Sequence, residues 1–68
     1  MKISGRNKFK SIVKEVVIGS VMAKVVLDYN GQEIVSMITI DSVEDLGLKV
    51  GDQVCALVKS TDVMVIKP

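Results

Sequence analysis

Two nine-residue stretches, Val21 to Tyr29 and Gln32 to Ile40, meet at the dipeptide Asn30-Gly31, and this arrangement limits the fold more than any other feature of the chain. In the first stretch Val21, Ala23, Val25, Leu27 and Tyr29 fall on one face, with Met22, Lys24, Val26 and Asp28 on the other. In the second, Ile34, Ser36, Ile38 and Ile40 share a face opposite Glu33, Val35, Met37 and Thr39. A repeat of two residues is the signature of a strand. Asn-Gly suits a two-residue type I′ turn, because both central positions need positive φ and these residues tolerate it best. The two stretches are therefore predicted to be antiparallel neighbours.

The flanking segments extend the pattern. Lys8 to Ile18 is rich in β-branched residues, but its apolar positions, Phe9, Ile12, Val13, Val16, Val17 and Ile18, do not keep one parity. A strand that changes its buried face bends or carries a bulge. After Ile40 the alternation stops. In Asp41-Ser42-Val43-Glu44-Asp45-Leu46-Gly47, early acids, a Ser followed three positions later by an acid, and a closing Gly predict a helix of one to two turns capped by Ser42. A glycine turn at Leu48 to Asp52 leads to a fourth strand, Gln53 to Lys59; Ser60-Thr61-Asp62 turns into a fifth, Val63 to Ile66. Five strands with a short helix between strands three and four is the element order of an all-β, OB-like barrel. No repeat or linker divides residues 1-68, which are read as a single domain.

Size and composition then decide how such a barrel could be stable. A chain of 68 residues buries only about 60% of the surface it exposes when unfolded. Small domains compensate with disulfides, metals or oligomerisation. This one has a single cysteine, Cys55, and no histidine. Cys55 lies between Val54 and Ala56 in strand four, where it reads as a small buried hydrophobe. Strands four and five are apolar on both faces, and a small barrel has one interior. The surplus faces predict a homo-oligomer.

The chemistry available is narrow. Without histidine, a readable pair of acids or a cysteine beside a base, nothing points to catalysis, and the chain is read as a binding protein rather than an enzyme. The acids match no cation-binding loop, so no free metal cation is expected. No glycine-rich phosphate loop precedes a helix. Net charge is +1, which exerts no long-range pull on nucleic acid or an acidic membrane. The longest aliphatic run, Val63 to Ile66, is four residues, far short of the roughly 20 that a membrane helix needs. The basic, polar N-terminal residues resemble no secretory signal, and a lone thiol fits a reducing compartment, so the expected location is cytoplasmic.

Three clusters of hydrogen-bond donors remain: Ser4-Gly5-Arg6-Asn7, Thr39-Ile40-Asp41-Ser42 and Lys59-Ser60-Thr61. Hydroxyls and backbone N–H groups with one or two cations are what a tetrahedral oxyanion requires in place of its water. Each residue also has a structural reading, as a helix cap, a turn or a solvated charge.

The words Ile3-Ser4-Gly5-Arg6-Asn7, Gly19-Ser20-Val21-Met22-Ala23-Lys24-Val25, Ile38-Thr39-Ile40-Asp41-Ser42-Val43 and Ala56 to Val63, in this order, resemble those of the molbindins, small molybdate-binding (Mop) modules. The resemblance spans essentially the whole chain. It implies an OB-like fold, a homohexamer built as a trimer of dimers, and bound molybdate or tungstate with no organic cofactor. It implies contacts to the oxyanion from Ser4, Gly5, Arg6, Thr39, Ser42, Lys59 and Ser60 at subunit interfaces, and a second kind of site at Gly19, Ser20 and Val21. Gly5 departs from the family word, which usually has Ala there. The implied role is intracellular molybdenum storage or homeostasis. The competing readings are an OB-fold nucleic-acid module and a ligand-free assembly domain. The first lacks stacking rings, since Phe9 and Tyr29 are the sole aromatics.

Overall fold

The computed structural model describes residues 7–68. The elements run β1 (Asn7–Ile18), β2 (Met22–Tyr29), β3 (Gln32–Thr39), α1 (Ile40–Leu46) and β4 (Gln53–Val58), followed by a 3₁₀ turn at Ser60–Asp62. All neighbouring strands are antiparallel, and the sheet order is β3-β2-β1-β4. The chain is all-β apart from one short helix, as expected from the sequence.

The central hairpin has the predicted register, with Tyr29 opposite Gln32 and Ala23 opposite Ile38. Asn30 and Gly31 have φ of 51° and 88°, the conformation that a type I′ turn demands. The Asp28 carboxylate accepts the Gly31 N–H at 3.1 Å and closes the turn.

The mixed parity of β1 resolves as a bulge. Val13 pairs with Leu27 but Glu15 pairs with Val26, so Lys14 is the extra residue. Before the bulge, Ser11 and Val13 are buried; after it, Val16 takes the inward position opposite Val25. The bulge also divides the strand between partners, since Asn7 to Ile12 pair with β4 and Ile12 to Ile18 with β2. The displaced Lys14 donates to Glu33 Oε2 at 2.7 Å across the outer face. This bond and its charge hold Glu33 below the usual carboxylate range and Lys14 above its own. The small contribution of such an exposed pair is present above the unfolded pKa of Glu33 and is lost as pH falls through the lowered one.

The core collects on the concave side. Val13, Ala23, Val25, Leu27 and Val43 are buried together, with Ile34, Ile38, Ile40, Leu48, Val54 and Ala56 packed around them. Val43 is the buried residue of α1, which lies over one end of the sheet. Gly47 ends the helix in the left-handed conformation, and the next N–H, of Leu48, donates to the Val43 carbonyl at 3.1 Å.

Three expectations fail. Val63 to Ile66 is not a fifth strand, and the sheet is four-stranded and open rather than a closed five-stranded barrel. Met64, Val65 and Ile66 are 93%, 92% and 89% exposed. Between the facing edges β3 and β4 lies an apolar cleft of about 290 Å³, lined by Ile34, Ile38, Val54, Ala56 and Val58 among others. The segment pairs with no strand among the described residues, and apolar composition alone does not make a strand. Cys55 is exposed, not buried: the pleat turns Val54, Ala56 and Val58 inward and leaves Cys55 and Leu57 on the outer face.

Candidate oxyanion site

The predicted donors occupy the two ends of β1. Asn7 pairs with Val58, so the start of β1 and the Lys59-Ser60 turn share one end of the sheet. At the other end, Ile18 pairs with Ala23 and Met22 with Thr39, which gathers the Gly19–Val21 turn and the β3–α1 junction. Ser4, Gly5 and Arg6 lie outside the described residues.

At the first end, Lys59 precedes the 3₁₀ turn with extended backbone (φ −65°, ψ 141°), and its carbonyl accepts the Asp62 N–H at 2.9 Å. The turn is held by main chain alone. Lys59, Ser60 and Thr61 are exposed, and among the described residues their side chains make no hydrogen bond or ion pair. A lysine and a hydroxyl that no described residue engages suit an anion.

The second end is organised differently. Thr39, and not Ser42, is the N-cap of α1: its Oγ1 accepts the Ser42 N–H at 3.1 Å and donates to Ser42 Oγ at 2.9 Å. The sequence puts the cap three residues later because the apolar alternation of β3 continues through Ile40. Ile40 is already the first helical residue, which makes Thr39 the last extended one and puts Ser42 at the position whose N–H a cap receives. Thr39→Ala should therefore destabilise the protein by about 1 kcal/mol, while Ser42→Ala should cost less. Urea unfolding of the two variants checks this ranking.

This end also joins two clusters that are separate in sequence. The Ile40 N–H donates to the Val21 carbonyl at 2.9 Å, and the Gly19 N–H donates to the Met22 carbonyl at 2.9 Å. The turn suggested as a second kind of site thus abuts the Thr39–Ser42 junction. Nothing in the spacing reveals this, since the link is main chain to main chain. Lys59 and Ser60 remain at the far end of the twelve-residue β1. One chain does not bring all the predicted donors together.

Other chemistry finds little support. No three His, Cys, Asp or Glu side chains gather into a metal site among the described residues. The groove beside β1 and β4 is lined by Lys10, Ser11, Ile12, Gln53, Val54 and Cys55, none of them a predicted donor. Among the described residues no helix is long and apolar enough to cross a membrane.

Comparison with known proteins extends the picture. Molybdenum-pterin-binding protein 3 of Clostridium pasteurianum is 48% identical over 67 residues, covering 97% of this chain and 98% of its own. The solved structure of a molybdate-binding protein from Sporomusa ovata superposes with a TM-score of 0.96 at 63% identity, over 98% of this chain and 100% of that one. ModG, a cytoplasmic molybdate-binding protein solved with molybdate bound, gives a TM-score of 0.83 at 39% identity over 88% of this chain and 43% of its own. The TOBE domain family matches residues 3–65. On the sequence words, the fold and these likenesses together, the chain belongs to the TOBE-domain family, among its small members of molbindin type.

Proposed function

We propose that this chain binds molybdate, and with it tungstate, through hydrogen-bond donors that converge between copies of the chain in a homo-oligomer. The observation that carries this reading is the division of donors between the two ends of β1. Lys59 and Ser60 present a cation and a hydroxyl at one end, unpaired among the described residues, and Thr39, Ser42 and the Gly19–Val21 turn supply hydroxyls and backbone groups at the other. A tetrahedral dianion needs donors from several directions, and a second copy brings the missing ones. Ser4 and Arg6 are assigned to the same site by their match to the family word, and Gly5, where that word usually has Ala, by its backbone N–H. Residues 1-68 then act as one binding module. The relatives are molybdate- or molybdenum-pterin-binding proteins, which supports a binding role rather than catalysis.

The oligomer has its own physical support. The open apolar cleft between β3 and β4 and the exposed apolar segment Val63 to Ile66 are complementary surfaces of the same chain that do not meet within it. Exchange of this segment between two copies would cover both and supply the fifth strand of an OB-like barrel. A hexamer, as a trimer of dimers, is the assembly that the molbindin resemblance implies. Like ModG the chain would work in the cytoplasm, in molybdenum storage or homeostasis.

Isothermal titration of the purified oligomer with sodium molybdate tests the function. Saturable binding is expected, with sulfate competing at least tenfold more weakly, because the smaller ion cannot reach all donors at good hydrogen-bond length. Equal competition by sulfate would mean that no shaped site exists. A melting temperature raised by single-stranded DNA and not by molybdate would favour a nucleic-acid module, and one moved by neither would favour a ligand-free assembly domain.

A further inference from the structure

We propose that Gly19 is a positioning residue for the Thr39 and Ser42 hydroxyls of the oxyanion site, holding the Gly19–Val21 turn against their junction, a role separate from any contact the turn itself makes with an ion; this rests on the oxyanion-binding reading above. Gly19 does not have positive φ, so backbone freedom is not what the position requires. Space is. A Cβ at residue 19 would lie 2.8 Å from the Met22 carbonyl oxygen, closer than carbon and oxygen can approach, and the obstacle is backbone rather than a flexible side chain.

That carbonyl accepts the N–H of Gly19 itself, at 2.9 Å, and so closes the turn. Inside the turn the Val21 carbonyl accepts the Ile40 N–H, also at 2.9 Å. Ile40 is the first residue of α1, and the residue before it, Thr39, makes both hydroxyl contacts to Ser42. The two main-chain bonds therefore tie the position of Gly19 to two hydroxyls assigned to the ion. A methyl group at residue 19 must open the turn by several tenths of an ångström and draw the Val21 carbonyl away from Ile40. Hydrogen bonds to an oxyanion occupy a window of about 2.7–3.2 Å, so a displacement of that size misaligns donors that are otherwise unchanged.

Gly31 provides the matched comparison, at the turn on the other end of β2. It has φ of 88°, and a Cβ there would meet nothing within 4 Å. Alanine at position 31 strains the backbone and lowers stability, but it displaces nothing near the ion.

The experiment titrates sodium molybdate into the parent oligomer, Gly19→Ala and Gly31→Ala, with apo melting temperature and hydrogen exchange of the Ile40 amide followed in each. Both variants should melt lower. Gly19→Ala should bind molybdate about tenfold more weakly, the effect of one lost hydrogen bond, and should lose Ile40 protection. Gly31→Ala should bind within about twofold of the parent and keep Ile40 protected. Parent-like binding by Gly19→Ala, or an equal loss in Gly31→Ala, would overturn the positioning role while leaving molybdate binding intact. Absence of binding by the parent would instead overturn the oxyanion reading and this role with it.

Discussion

Replacing Lys59 by alanine is expected to weaken molybdate binding by about 2–3 kcal/mol, the range for a hydrogen bond to a charged group, and to leave the apo protein as stable as the parent. The second half of this expectation comes from the structure. The Lys59 side chain is exposed and makes no hydrogen bond or ion pair with another described residue, and the turn it precedes is closed by the Asp62 N–H on the Lys59 carbonyl, which alanine retains. Ser60→Ala should follow the same pattern with a smaller loss, about 1 kcal/mol, because a neutral donor is removed. Thr39 and Ser42 behave differently, since their hydroxyls already serve the helix start. Truncating them mixes a stability loss with any binding loss. Paired measurement of apo melting temperature and molybdate affinity separates the cases. Parent-like affinity in both Lys59→Ala and Ser60→Ala would remove this turn from the site, whatever became of the fold.

The double substitution Met64→Asp, Ile66→Asp should convert the oligomer to smaller species. These two positions share one parity of the segment after the 3₁₀ turn and are 93% and 89% exposed in the single chain. Within that chain the change removes no packing, so the isolated fold has nothing to lose by it. Between chains the account is different. Burying two such side chains contributes about 1.5–3 kcal/mol each, and a carboxylate set in an apolar cleft adds a desolvation cost. Together these weaken association by at least about a hundredfold. Sedimentation equilibrium at micromolar concentration should show the parent as one assembled species and the variant dissociated, with an unfolded fraction because so small a core is marginal alone. A variant that sediments like the parent would mean that the segment does not pair with another copy.

Most of the local structure was legible in the residues. Alternation from Val21 to Ile40 identified two strands, and Asn30-Gly31 fixed their register through a turn that needs two positive φ values. The broken parity of β1 announced a bulge, which lies at Lys14. Gly47 marked the helix end. Each of these follows from a rule acting over a few neighbouring residues, so the sequence contains what is needed to apply it.

The errors arose where a residue's state depends on what lies across space. Cys55 sits among apolar neighbours, but the pleat gives it to the outer face, and β4 at the sheet edge has no layer to cover that face. The apolar run Val63 to Ile66 has the composition of a strand, yet a strand exists only when an edge is offered to its N–H and C=O groups. The cap moved from Ser42 to Thr39 because one residue of overlap between strand and helix decides which hydroxyl receives the free N–H.

The donor clusters divide in the same way. Hydroxyls, a lysine and glycine turns were visible as residue types at Gly19–Val21, Thr39–Ser42 and Lys59-Ser60. That the first two meet through the Ile40 to Val21 bond, while the third stands at the opposite end of β1, was decided by strand pairing alone. Sequence by itself determined the strands, the turns and the chemistry of the donors, because propensity, alternation and side-chain type are local. Only the tertiary structure decided which donors converge, because the antiparallel register of three strands brings Val21 and Ile40, nineteen positions apart, into contact and holds others a full strand length away.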